Sequence, residues 1–411
     1  MFPETQILKY TQALQSSPHQ VYQAFTNSTA LREWFCDIAT TNPKIGGHFY
    51  TAWNSGFYAC GEFTSLEPDH RIEFTFFGRS YPNTTHVKVT LEEKGSQTIV
   101  TLEHAGFGTN VAWEKIIPEI KKGWESSLEN LASILQTGQD IRITNRPMLG
   151  IVIGDYDEQI AKKLDVPEIK GIRLDTVIDG MGAQAAGLEK NDVIVSVAGT
   201  PIIDYGNLNS LLLRSKSGNE MEVIYYRGPV KKKTSMTLSR RSIPAIPQTA
   251  KELAKAVKKS TTEFDNEFNM LLEKMNDREA EFHPKPNEWN VKQILAHLIH
   301  GERNALNYIN DILGNQEPLY DDYSGNQEVI IAATISIFPS LIELRQEYFK
   351  NHAEVITALE NLPVEFIARK STFWRLAFNM LEGHYHIQLH LDQIRAAVEA
   401  ARSTLNTMVS R

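Results

Sequence analysis

Three histidines toward the C-terminal end of the sequence offer its clearest chemistry. In the stretch LEGHYHIQLHLDQIR, Leu381 to Arg395, His386 and His390 stand four residues apart in a run that reads as helix. At about 100° per residue such a pair shares one helix face, close enough for both imidazoles to hold one metal ion. A third ring, His297 in AHLIHGE, belongs to an earlier helix-like segment. Two facing helices that together supply three histidines are a known way to build a metal site inside a helix bundle. His384, two residues before His386, points ~200° away and is a poor further ligand. His300 is read as an outer or substrate-contacting group. Glu302 is read as a hydrogen-bond acceptor, either for a ligand histidine or for a neighbouring helix. No conventional nucleophile or carboxylate pair stands beside the histidines, so catalytic residues stay unassigned.

The elements that must position these rings begin after IPAIPQTAKE, where Pro244 and Pro247 interrupt regular structure. From there the pattern is helical. Leu253, Val257, Phe264, Phe268, Leu271, Leu272 and Met275 give a first helix, and Asn290 opens a second as N-cap with Gln293 as its capping-box partner. A third is expected over Phe338 to Leu359 and a fourth over Trp374 to Ala401. Residues 244–411 therefore predict an all-α, up-and-down four-helix bundle with one long connection, Gly314 to about Thr334.

Two blocks precede the bundle. Residues 1–140 read as a strand, two short helices, a run of strands and a long helix. Ser17 caps and Pro18 opens the first helix. The strands GGHFYTAW, YACGEFTSLE, RIEFTFFG, THVKVTLEEK and TIVTLEHAGF alternate, and the period turns helical through WEKIIPEIKKGWESSLENLASILQ. Residues 141–243 are mostly β, with a helix at YGNLNSLLLRS, and are the one block with net positive charge.

Each block carries a family likeness. Pro18, Val21, Tyr22, Phe25, Leu31, Trp34, Phe35, Gly46-Gly47, Phe49, Gly61-Glu62-Phe63 and Gly123-Trp124 resemble the α+β helix-grip (START-like) domains similar to the activator of Hsp90 ATPase. That resemblance implies an apolar cavity between sheet and helix, for which Trp34, Phe49, Trp53, Phe63, Phe74 and Phe76 are the candidate lining. Aromatic stripes at strand spacing also pack as ordinary core. Ala185-Ala186-Gly187-Leu188, Asn191-Asp192-Val193-Ile194 and Ala198-Gly199 look like the PDZ pattern of bacterial envelope proteases. On that likeness, backbone N–H groups of Leu149, Gly150 and Ile151 would hold the C-terminal carboxylate of a peptide or protein. The peptide would extend the sheet along Ile151 and Ile153 and pack on Leu208, Leu211 and Leu212. Neither GNSGG nor HExxH accompanies it. Trp289, Asn290, Val291, Ile294, Leu295, His297, Leu298 and Glu302, with His386, His390, Gln393 and Ile394, resemble the DinB-like bundle family. The resemblance implies a divalent metal, with zinc, nickel or manganese as candidates, held by His297, His386 and His390. Positions would remain for water or substrate.

Composition sets the outer limits. The 411 residues fit two to four domains, and a net charge of −8 argues against a nucleic-acid or anionic-membrane surface. No run of about 18 apolar residues could span a bilayer. The start MFPETQILKY lacks an export signal, and Cys36 and Cys60 make no disulfide framework, so a cytoplasmic setting is expected. Neither GxxxxGK[ST] nor GxGxxG occurs. The leading expectation is a three-domain protein whose bundle binds a metal and runs hydrolysis or thiol transfer on a small substrate. The PDZ-like module would recruit a peptide terminus, and the grip domain a small apolar ligand. Pairing into a homodimer is expected of such bundles. The alternatives are a non-catalytic adaptor of stress or chaperone type, or a ligand sensor.

Overall fold

Alternating burial over residues 8–105 closes the N-terminal strands into one antiparallel sheet. The computed structural model describes residues 6–212, 214–285, 288–316, 327–382 and 384–409, with side chains omitted for 384–389 and beyond 404. Its first domain comprises β1 (Leu8–Leu14), α1 (Pro18–Thr26), α2 (Ser28–Trp34), β2 (Ile38–Thr41), β3 (His48–Ala52), β4 (Tyr58–Glu67), β5 (Arg71–Gly78), β6 (Thr85–Lys94), β7 (Gln97–Ala105), α3 (Val111–Thr137) and α4 (Ile141–Thr144). The strand order is β1-β7-β6-β5-β4-β3-β2. Ser17 and Gln20 form the capping box of α1, with Pro18 as its first residue.

A chain of hydrogen bonds pins α3 to the sheet it grips. Trp124 Nε1 donates to His104 Nδ1 at 3.0 Å, so His104 carries its proton on Nε2, 2.7 Å from Thr85 Oγ1. Thr85 in turn donates to the Phe76 carbonyl at 2.6 Å. Burial, with His86 adding to it, pushes the His104 pKa down to about 3, so the ring stays neutral and every polar atom in the chain is matched.

The middle domain contains β8 (Pro147–Met148), β9 (Ile151–Gly154), α5 (Glu158–Lys163), β10 (Ile172–Val177), α6 (Gly182–Ala185), β11 (Val193–Val197), β12 (Thr200–Pro201), α7 (Tyr205–Leu212), β13 (Glu220–Arg227), β14 (Val230–Thr237) and β15 (Ser239–Arg240). Its main sheet runs β14-β13-β11-β10-β9, so β9 forms one edge, while β15 pairs with β8.

The C-terminal domain comprises α8 (Ala250–Glu273), α9 (Asp277–Ala280), α10 (Val291–Leu313), α11 (Gln327–Ile337), α12 (Leu341–Glu360), α13 (Val364–Ile367), α14 (Lys370–Glu382) and α15 (His384–Val409). It departs from the expected bundle in one place. The connection expected over Gly314 to about Thr334 leads into α11, which begins within it and whose mostly apolar sequence lacks helical periodicity yet buries Ile331 and Thr334 against α10. The helix expected from Trp374 to Ala401 is helical over all of its described residues, as α14 up to Glu382 and α15 from His384 onward.

The first and last domains are bolted together along α14, which packs on α3. Thr372 donates to the buried Glu33 carboxylate at 2.6 Å, Lys370 donates to the Gln136 carbonyl at 3.1 Å, and Thr29 donates to the Asn315 carbonyl at 3.0 Å. Gly138 ends α3 with φ +81°, and a Cβ there would sit 2.5 Å from the Lys370 carbonyl oxygen. Gly138→Ala should therefore cost at least about 2 kcal/mol from backbone strain and the forced gap at this interface. Thermal denaturation checks this: a Gly138→Ala melting temperature equal to wild type would show that the domains are not in this close contact.

Candidate metal centre

Local sequence fixes where α10 starts, and with it the height of His297. Asn290 and Gln293 form the reciprocal capping box, with bonds of 2.9 and 3.0 Å, and Asn290 Nδ2 also lies 3.1 Å from His283 Nε2. Lys292, almost fully buried, donates to Glu281 at 2.7 Å and to the Pro339 carbonyl at 2.6 Å, and pairs with Asp277 at 2.8 Å. Burial opposes its charge, but Asp277 and Glu281 outweigh that and hold its pKa above the usual lysine range. The lysine thereby ties α9, α10 and the loop before α12 to one point.

Across the bundle, α15 brings His390 to His297 with ring centroids 4.9 Å apart and planes inclined by 58°. His390 is 5% exposed, and its Nδ1 lies 2.9 Å from Gln393 Oε1. A carboxamide oxygen only accepts, so Nδ1 carries the proton and Nε2 keeps its lone pair. This is the outer-partner arrangement that metal-bound imidazoles use. On the other side, Trp289 packs against His297 with centroids 5.0 Å apart. The sequence marked Gln393 and Trp289 only as motif positions; their bond and ring contact depend on tertiary packing.

The third expected ligand, His386, and the non-ligand His384 lie outside the described side chains. Among the described residues no three His, Cys, Asp or Glu side chains form a metal-binding group. His300 Nε2 lies 3.1 Å from the Asn304 side-chain nitrogen. Glu302 takes the second of its two expected roles, bonding His352 Nδ1 on α12 at 3.0 Å.

That bond belongs to a polar cluster the sequence did not reveal. His352 Nε2 is 3.2 Å from Thr261 Oγ1 and 3.7 Å from Asp265 Oδ2, both on α8, so one imidazole sits between two carboxylates. Its three helices are far apart in sequence, and a lone histidine gives no signal by spacing.

In the middle domain, Gly150 adopts φ +84°, and a Cβ there would meet Met181 Cβ at 2.2 Å. The Leu149 carbonyl accepts from Ala183 and the Gly150 carbonyl from Ile178, whereas neither residue's own N–H has a partner among the described residues. Ile151 is half-buried and Ile153 exposed on edge strand β9; on α7, Leu208 and Leu212 are buried and Leu211 half-buried. In the first domain Trp34, Phe49, Phe63, Phe74 and Phe76 are buried and Trp53 half-buried. Phe49 stacks on Phe74 at 4.4 Å and meets Phe63 at 5.8 Å, and Trp53 meets Phe35 at 5.1 Å.

Comparison with known proteins assigns each domain to a class. Residues 15–136 match the family model for activator of Hsp90 ATPase homolog 1-like protein, residues 147–238 that of the PDZ domain, and residues 260–394 that of the DinB superfamily. The chain is thus a helix-grip domain of the Hsp90-activator type, a PDZ domain and a DinB-like helical domain in series. Two curated relatives are described as probable periplasmic serine endoprotease DegP-like. The one from Pseudomonas fluorescens is 25% identical over 150 residues, 36% of this chain and 30% of that protein. The one from Ectopseudomonas mendocina is 29% identical over 121 residues, 29% of this chain and 24% of that protein. The chain thus spans less than a third of either relative. Among solved structures, the Aha1 dimer from Colwellia psychrerythraea aligns with 20% identity and a TM-score of 0.29, over 32% of this chain and 96% of that one. An HSP90 activator from Plasmodium falciparum aligns with 23% identity and a TM-score of 0.28, over the same two shares.

The His352 cluster has a pH signature. Burial works against its charge, but Glu302 and Asp265 outweigh burial and raise its pKa above the ordinary histidine value. A histidine with a raised folded-state pKa contributes stability that is complete below the unfolded value of about 6.5 and is lost as pH rises through the folded value. The stability gap between wild type and His352→Gln should therefore be widest below about pH 6.5 and narrow above it. Urea unfolding across pH checks this, and a gap that widens with rising pH would contradict it.

Proposed function

We propose that the DinB-like domain holds one divalent cation, zinc, nickel or manganese, with His297, His386 and His390 as ligands. The approach of the His297 and His390 rings to 4.9 Å carries the reading. The donor chemistry fits such an ion: Gln393 fixes His390 in the tautomer that presents Nε2, and His386 precedes it by one helical turn in sequence. When bound, the ion would supply Lewis-acid polarisation and a lowered pKa for a coordinated water or thiol, which suits hydrolysis or thiol transfer on a small substrate. The chain's own groups orient the site: Gln393 holds one ring, Trp289 buttresses another and Lys292 fixes the helix start. The middle domain is read as the peptide-recruiting module, since the Leu149 and Gly150 N–H groups and the β9 edge stand ready for a C-terminal carboxylate and an added strand. The aromatic interior of the first domain is read as the place for an apolar ligand. Both thiols are free, and a cytoplasmic setting would keep them so.

Elemental analysis of the purified chain should find about one divalent ion per molecule, and His390→Ala should lose it while keeping the wild-type helical signal. A metal-free wild type refilled with zinc and nickel that still binds neither would end the metal reading and leave a non-catalytic adaptor. For the middle domain, Gly150→Ala should abolish binding of C-terminal peptides selected on the wild type, because its Cβ would overlap Met181. Unchanged affinity would remove the carboxylate loop from the account.

A further inference from the structure

The three domains meet around a cavity that none of them forms alone. Its volume is about 910 Å³, within the range of small-molecule pockets, and domain junctions are favoured places for such sites. The buried rings of Phe373 and Trp374 from α14 contribute to its apolar lining, with half-buried Pro244 and Ile246 from the segment after β15 and Ile367 from α13.

The polar lining has one sign. Arg240 and Lys370, both exposed, bring two positive charges, and no carboxylate is among the described residues that line the cavity. Lys370 uses one of its three N–H donors on the Gln136 carbonyl, which leaves two. Arg240 makes no ion pair or side-chain hydrogen bond among the described residues, so its guanidinium is held by nothing that a ligand would have to displace. The extended segment between the second and third domains adds backbone donors. The N–H groups of Ile243, Ala245 and Ile246 have no partner among the described residues, and the two prolines beside them have none to give.

We propose that this junction binds a small amphipathic organic anion, an apolar body of one or two rings or a short acyl chain ending in a single carboxylate or sulfonate. Its body would cover Phe373 and Ile367, and its oxygens would take Arg240, Lys370 and the linker N–H groups. A peptide is the poorer occupant, because a cavity of this volume holds one drug-sized molecule. This site stands apart from the histidine cluster and does not depend on the metal reading.

The full chain is titrated by calorimetry and fluorescence with anilinonaphthalene sulfonate, and in parallel with phenylnaphthylamine, the same body without its charge. The sulfonate should bind with one equivalent that is markedly weakened in Ala245→Trp, whose indole would intrude on the cavity from its rim. Arg240→Gln, which removes no internal contact, should weaken that equivalent about tenfold, and the neutral analogue should bind about tenfold more weakly than the sulfonate, as loss of about 1.4 kcal/mol dictates. Arg240→Gln keeps the test valid should Ala245→Trp disturb folding. Absence of sulfonate binding, binding that Arg240→Gln leaves unchanged, or equal affinity for the neutral analogue would each overturn the proposal.

Discussion

Two imidazole rings held 4.9 Å apart in the interior of the C-terminal domain are the constraint that the surrounding residues serve. Imidazoles are polar at both nitrogens, and burying them is costly unless each polar atom finds a partner. The structure meets that cost on the His390 side with Gln393, one turn further along α15. It sets the height of the facing ring through the Asn290–Gln293 capping box and the buried Lys292, whose charge is matched by two carboxylates and a carbonyl. A helix start secured this way cannot slip by a residue, and a slip of about 100° would turn His297 away from α15.

The same domain is joined to the rest of the chain through specific contacts of α14. The grip domain meets α14 through the Thr372–Glu33 bond and the close approach at Gly138. The strand that closes the PDZ domain leads directly to Arg241, which pairs with Glu382 at the end of α14 and lies over the Phe378 ring. α14 thus collects contacts from both preceding domains just before α15, the helix that carries His390. The arrangement places the PDZ domain, the aromatic interior and the histidine cluster on one connected framework.

Local signals in the sequence were the most readable. Ser17 with Gln20 and Asn290 with Gln293 announced helix starts because a capping box is written within four residues. Pro244 and Pro247 marked a boundary because proline removes the donors that a regular element needs. What escaped was non-local or lacked periodicity. The run VIIAATISI has apolar residues on every side with no helical stripe, so nothing in it distinguishes a buried face, and most of α11 was read as connection. His352, Glu302 and Asp265 come from three helices and meet only after folding. Lys292 reads as an ordinary surface lysine until Asp277 and Glu281 close over it. At the candidate centre the approach of His297 to His390 was expected from the motif alone, because the two residues are far apart in sequence, while Gln393's hydrogen bond was not legible.

X-ray absorption at the metal edge tests the central claim most directly, because it reads the ligand atoms themselves. With zinc bound, the account predicts three imidazole nitrogens at about 2.0–2.1 Å, with the remaining first-shell atoms light oxygen or nitrogen donors. A first shell with one imidazole or none, or one containing sulfur at about 2.3 Å from the protein's thiols, would contradict it.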